Sequence, residues 1–99
     1  MEIIVQSFAQ HGEPSPEQRR VRPLPGQGFD VNMRVECSRA MRTAFPVGQR
    51  FRLWVQAKSR EGGPVFLYSN HRDVWHPVTE DEANRFIAAA FGKKAPHRS

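Results

Sequence analysis

Residues 50–58 read Arg-Phe-Arg-Leu-Trp-Val-Gln-Ala-Lys, with apolar side chains at Phe51, Leu53, Val55 and Ala57 and basic, polar or indole groups at Arg50, Arg52, Trp54, Gln56 and Lys58. Successive side chains of a strand point to opposite faces, so alternation over nine residues predicts a strand with one dry and one wet face. Such a strand needs neighbours in a sheet and a layer to cover its apolar side. The wet side would carry three cations around a tryptophan.

The rest of the chain offers those neighbours. Residues 2–8 are β-branched and apolar (Glu-Ile-Ile-Val-Gln-Ser-Phe) and read as a strand. Val31, Met33, Val35 and Cys37 alternate with Asn32, Arg34 and Glu36, which predicts another over 31–37. Residues 59–64 (Ser-Arg-Glu-Gly-Gly-Pro) have turn chemistry, so 65–69 is expected to return against 50–58 as a hairpin. A short strand is expected over 74–78, held to an edge by Pro77.

Two helices complete the set. Ser38 is placed to cap a short helix through Phe45, which Pro46 ends by disfavouring the α region at the residue before it. Thr79 and Glu82 have capping-box spacing, and Ala83, Phe86, Ile87, Ala90 and Phe91 form an apolar stripe at helical period. Gly92 is placed for the left-handed turn that ends many helices, and Pro96 blocks resumption. Between residues 9 and 29, Pro14, Pro16, Pro23, Pro25, Gly12 and Gly26 forbid a helix, with a short extended piece expected over 20–24. The order predicts an α+β fold: one domain over 1–92, an antiparallel sheet of about four or five strands with both helices on one face, and a frayed basic tail over 93–99.

Charge narrows the class of partner. The formal net charge is +5, and residues 18–60 hold ten of the fifteen Lys and Arg against only Asp30 and Glu36. Arginine outnumbers lysine twelve to three, and guanidinium suits bidentate phosphate contact and stacking. An anionic partner follows: nucleic acid, an acidic protein surface or anionic lipid. If strands 31–37 and 50–58 share a sheet, Arg34 joins Arg50, Arg52, Trp54 and Lys58 on an open face, with Tyr68 available from the hairpin for stacking. Arg39 and Arg42 on the first helix extend the phosphate-holding set. The 19–22 arm (Arg-Arg-Val-Arg) could follow a backbone too, although such runs are usually solvated loops.

Other chemistries find less purchase. Cys37 lies at a helix start beside Arg39, a setting that activates thiols, but it shares parity with Val31, Met33 and Val35, and Arg42 is one residue too close for the loop of a cysteine phosphatase. His71, Asp73 and His76 match no compact metal finger, and Glu80, Asp81 and Glu82 are explained by the helix dipole. No glycine loop cradles phosphate and no cofactor motif occurs. One cysteine excludes a disulfide framework, and no apolar run exceeds six residues, so a cytoplasmic protein away from membranes is expected. The expected function is a small non-catalytic nucleic-acid-binding module, with no metal or cofactor, working through a basic and aromatic sheet face. The alternative is a protein-interaction or homodimerising module using the same Trp, Tyr and Arg surface. A Cys37 thiol enzyme is a third reading.

Overall fold

A computed structural model describes residues 1–10, 19–70, 72 and 74–92. In chain order the elements are β1 (Glu2–Ala9), β2 (Arg19–Pro23), β3 (Val35–Glu36), α1 (Arg39–Ala44), β4 (Arg50–Trp54), β5 (Gln56–Lys58), β6 (Phe66–Tyr68), β7 (Trp75–Val78) and α2 (Glu80–Phe91). The class is α+β. The tail over 93–99, Pro14, Pro16, His71 and Asp73 lie outside the described residues.

The alternating segment 50–58 does form strand, but it serves two sheets. Its first half, β4, pairs antiparallel with β1 and β7 in a four-stranded sheet of order β2-β1-β4-β7. Its second half, β5, pairs antiparallel with β6 in a three-stranded sheet of order β3-β6-β5. Val55 is the joint: its N–H donates to the Met1 carbonyl at 2.8 Å and its carbonyl accepts from the Met1 amine at 2.9 Å. A strand that changes sheets makes a corner and lets two small sheets enclose one core. The β5–β6 hairpin closes through a tight turn in which Gly63 N–H donates to the Arg60 carbonyl at 2.7 Å. Glu61 (φ 47°) and Gly62 (φ 80°) occupy its middle, the left-handed pair of a type I′ turn.

The core lies between the sheets. Ile3, Val5, Val21, Phe51 and Leu53 of the first, with Val55 at the joint, meet Val35, Met41 and Leu67 of the second sheet and α1. Phe45, Phe51 and Trp75 form an edge-to-face triangle with centroids 5.6–6.2 Å apart. Each large side chain so buried contributes roughly 1.5–3 kcal/mol.

Three expectations change. The 31–37 strand contracts to the two residues of β3, which pairs parallel with β6. An Asx turn takes the preceding residues, the Asp30 carboxylate accepting from Asn32 N–H at 2.8 Å and the Asp30 carbonyl accepting from Met33 N–H at 3.0 Å. The two helices take opposite faces of the four-stranded sheet. Met41 of α1 joins the core on the odd face, whereas α2 lies over the even face, with the Phe86 ring 5.8 Å from the Arg52 guanidinium. The reason is visible in β1, where Ile3, Ile4 and Val5 are consecutive and all fully buried, so both faces of that strand need cover. Gly92 ends α2 in the right-handed helical region (φ −61°), not the left-handed one.

Both caps form as the spacing predicts. Thr79 Oγ1 accepts from Glu82 N–H at 3.1 Å while the Glu82 carboxylate accepts from Thr79 N–H at 2.8 Å. Ser38 Oγ accepts from Met41 N–H at 3.3 Å.

Candidate functional site

The cations that lay on one strand in the sequence part company in three dimensions. Arg50 and Arg52 sit on the even face of β4, beneath α2. Arg50 pairs with Glu80 at 3.7 Å and Arg52 with Glu2 at 3.4 Å, their side chains 20% and 38% exposed. Trp54, at the end of β4 and opposite Glu2 of β1, is 51% exposed and belongs to neither sheet's cationic cluster.

Arg34, Lys58 and Tyr68 do come together, on the outer face of the three-stranded sheet. Leu67 and Val35 point into the core, so their neighbours Phe66, Tyr68 and Glu36 turn outward. Lys58 Nζ lies 4.4 Å from the Tyr68 ring centroid, and the Arg60 guanidinium lies 4.6 Å from that of Phe66. Glu36 organises this face. Its carboxylate accepts from Arg60 Nη1 at 3.1 Å and Nη2 at 3.0 Å, a two-pronged bridge, and pairs with Arg34 at 3.2 Å. The Arg60 hydrogen bond is the main cause that holds the Glu36 carboxyl below its ordinary pKa, with the charges of Arg60 and Arg34 adding to it.

Arg34 and Glu36 also line a groove of about 800 Å³. Arg20 and Arg22 reach it from edge strand β2, Arg39 and Arg42 from α1, and Arg34 from the chain entering β3. Glu36 is the one acid among its described lining residues. These arginines are braced from behind. Arg22 lies 4.6 Å over the Phe8 ring, and Arg42 Nη1 donates to the Cys37 carbonyl at 3.1 Å. Neighbouring Arg19 is used differently: its Nη1 donates to the Phe45 carbonyl at 2.8 Å and the Thr43 carbonyl at 3.4 Å, closing the C-terminal end of α1.

Chemically, a groove whose described lining residues bring five guanidinium groups and one carboxylate is suited to an extended polyanion. Cys37 lines it, yet burial pushes the thiol pKa up against the opposing pull of Arg42, the reverse of an activated nucleophile. Among the described residues no group of three or more His, Cys, Asp or Glu is arranged to hold a metal ion. No helix among the described residues is long and apolar enough to cross a membrane.

Arg20, Arg22 and Arg60 are the candidate residues that strand parity on 50–58 passes over. Arg22 needs the β1–β2 pairing to meet Phe8, and Arg60 sits in a turn. The signal for Arg60 was its two-residue spacing from Lys58, which carries the outward parity one step into the turn.

No protein-family model matches the chain, no curated protein matches it, and no solved structure matches it.

Proposed function

We propose that the protein binds nucleic acid without catalysing a reaction, holding phosphates along the arginine groove. The observation that carries this reading is the convergence of Arg20, Arg22, Arg34, Arg39 and Arg42 from three separate segments on one groove, with Glu36 the one acid among its described lining residues. Lys58 and Tyr68 extend the surface across the outer face of the second sheet, where a flat ring and a cation stand together. Arg50 and Arg52 support the fold from beneath α2, and their charges are answered by Glu80 and Glu2.

The test is a salt titration of a fluorescent single-stranded oligonucleotide. Each neutralised phosphate contributes about −0.7 to the slope of log K against log salt, so a slope of about −2 or steeper marks three or more engaged phosphates. Arg22→Ala and Arg42→Ala each reduce it by about 0.7, whereas Arg50→Ala and Arg52→Ala leave it unchanged. A slope near zero, or one that responds to Arg50 and Arg52 but not to Arg22 and Arg42, removes the reading.

One observation favours a second reading, contact with a protein surface: Trp54 is 51% exposed and Val74 on the neighbouring segment is exposed too. An exposed indole is a common anchor of protein interfaces. Binding of that kind would persist at moderate salt and be lost on Trp54→Ala.

A further inference from the structure

We propose that the protein selects single-stranded nucleic acid by stacking one base on Arg60, in a cleft that shares the Arg34 wall with the groove. The inference rests on the nucleic-acid reading above and names the ligand class within it. The cleft has a volume of about 530 Å³ and lies between residues 30–34 and the β5–β6 turn, walled by Met33, Arg34, Arg60, Pro64, Val65 and Phe66. Cleft and groove both fall in the roughly 300–1,000 Å³ range of ligand sites.

Arg60 is prepared as a flat surface. The edge of its guanidinium is clamped by both oxygens of Glu36, at 3.1 and 3.0 Å. Its guanidinium carbon lies over the Phe66 ring, 4.6 Å from the centroid, and Phe66 is itself buried and so a fixed floor. The Arg60 side chain is 66% exposed and lines the cleft, which leaves room for a base to stack on the guanidinium from the solvent side. A planar cation bridged at its edge and set over a ring has less freedom left to lose when a ligand stacks on it, which makes that stacking cheaper in entropy. Bases stack on guanidinium planes in single-stranded RNA recognition. In a duplex both faces of each base are already stacked, so only an unpaired strand can present one without the cost of unstacking. Arg34 lines groove and cleft alike, which places a phosphate site directly beside the base site.

Fluorescence anisotropy with three labelled probes of equal length tests this: oligo(dT), an abasic phosphodiester oligomer and a DNA duplex. At low salt oligo(dT) is expected to bind about 5- to 150-fold more tightly than the abasic oligomer, the range measured for one stacked base. Arg60→Lys keeps the charge but removes the plane; it should abolish that ratio while the abasic affinity stays within about twofold. Val65→Ser, at an exposed wall of the cleft, should lower the same ratio without touching the ion pair. Equal affinity for oligo(dT) and the abasic oligomer overturns the base site while leaving the groove intact. A duplex that binds more tightly than oligo(dT) overturns it as well. If none of the three probes binds, the nucleic-acid reading itself falls and takes this inference with it.

Discussion

Replacing Gln27 by leucine should remove about 3 kcal/mol of stability, a cost that can be worked out bond by bond. Gln27 follows β2 in a loop, yet its side chain is fully buried and behaves as a piece of strand. Its Oε1 accepts from Ile4 N–H at 2.7 Å, and its Nε2 donates to the carbonyls of Ile4 at 2.8 Å and Leu24 at 2.9 Å. The amide thus continues the ladder of β1 past the point where Pro23 ends β2. Leucine has nearly the same volume and none of these bonds. Three hydrogen bonds contribute roughly 0.5–1.5 kcal/mol each, and the stranded Ile4 N–H adds roughly 1–3 kcal/mol. The Ile4 carbonyl keeps its bond from Leu24 N–H at 3.1 Å, and the leucine gains apolar contact, so the net loss settles near 3 kcal/mol. In a chain of this size that lowers Tm by about 12–24 °C. Urea unfolding followed by circular dichroism reads the loss directly, with an unchanged m-value showing that the native state stays compact. Gln27→Glu sharpens the test. Its carboxylate can accept from Ile4 N–H but cannot donate, so its loss of stability relative to the wild type at the same pH should be larger at pH 7 than at pH 4, where the acid is protonated. A loss below about 1 kcal/mol for Gln27→Leu would refute the argument, because the Ile4 amide would then have found another partner.

Thr79→Ala removes the hydroxyl that accepts from Glu82 N–H and should cost about 1 kcal/mol in the same urea assay. The Glu36 and Glu82 carboxyls are both held below their ordinary value of 4.5, Glu36 chiefly by its Arg60 hydrogen bond and Glu82 by that from the Thr79 backbone. Groups lowered in the folded state stabilise it fully above pH 4.5 and lose that contribution as acid protonates them, so the urea midpoint should fall on acidification and Glu36→Gln should flatten the fall. Cys37, with its thiol pKa raised by burial, should react with iodoacetamide far more slowly in the folded protein than in urea at neutral pH, and equal rates would show that the thiol is accessible and reactive. Trp75→Phe leaves Trp54 as the sole tryptophan, whose half-exposed indole, excited selectively at long wavelength, should emit to the red and be quenched readily by iodide.

Local signals in the chain determined the elements. Period-two alternation marked 50–58, a β-branched and apolar run marked β1, the Thr79–Glu82 spacing marked the start of α2, and Gly62 with its neighbours marked the hairpin turn, because each depends on residues within a few positions of one another. The gathering of basic residues over 18–60 likewise marked where a cationic surface would lie. Which cations would share that surface was settled only by tertiary structure. Parity along 50–58 put Arg50, Arg52 and Lys58 on one wet face, but parity holds only while a strand stays in one sheet. At Val55 the chain leaves the first sheet for the second, so Arg50 and Arg52 pass under α2 while Lys58 joins Tyr68. The groove forms where edge strand β2, α1 and the chain entering β3 meet, segments whose approach is set by long-range packing of Val21, Val35 and Met41. Alternation tells a strand which of its sides is wet. It does not tell the strand what else will come to lie on that side.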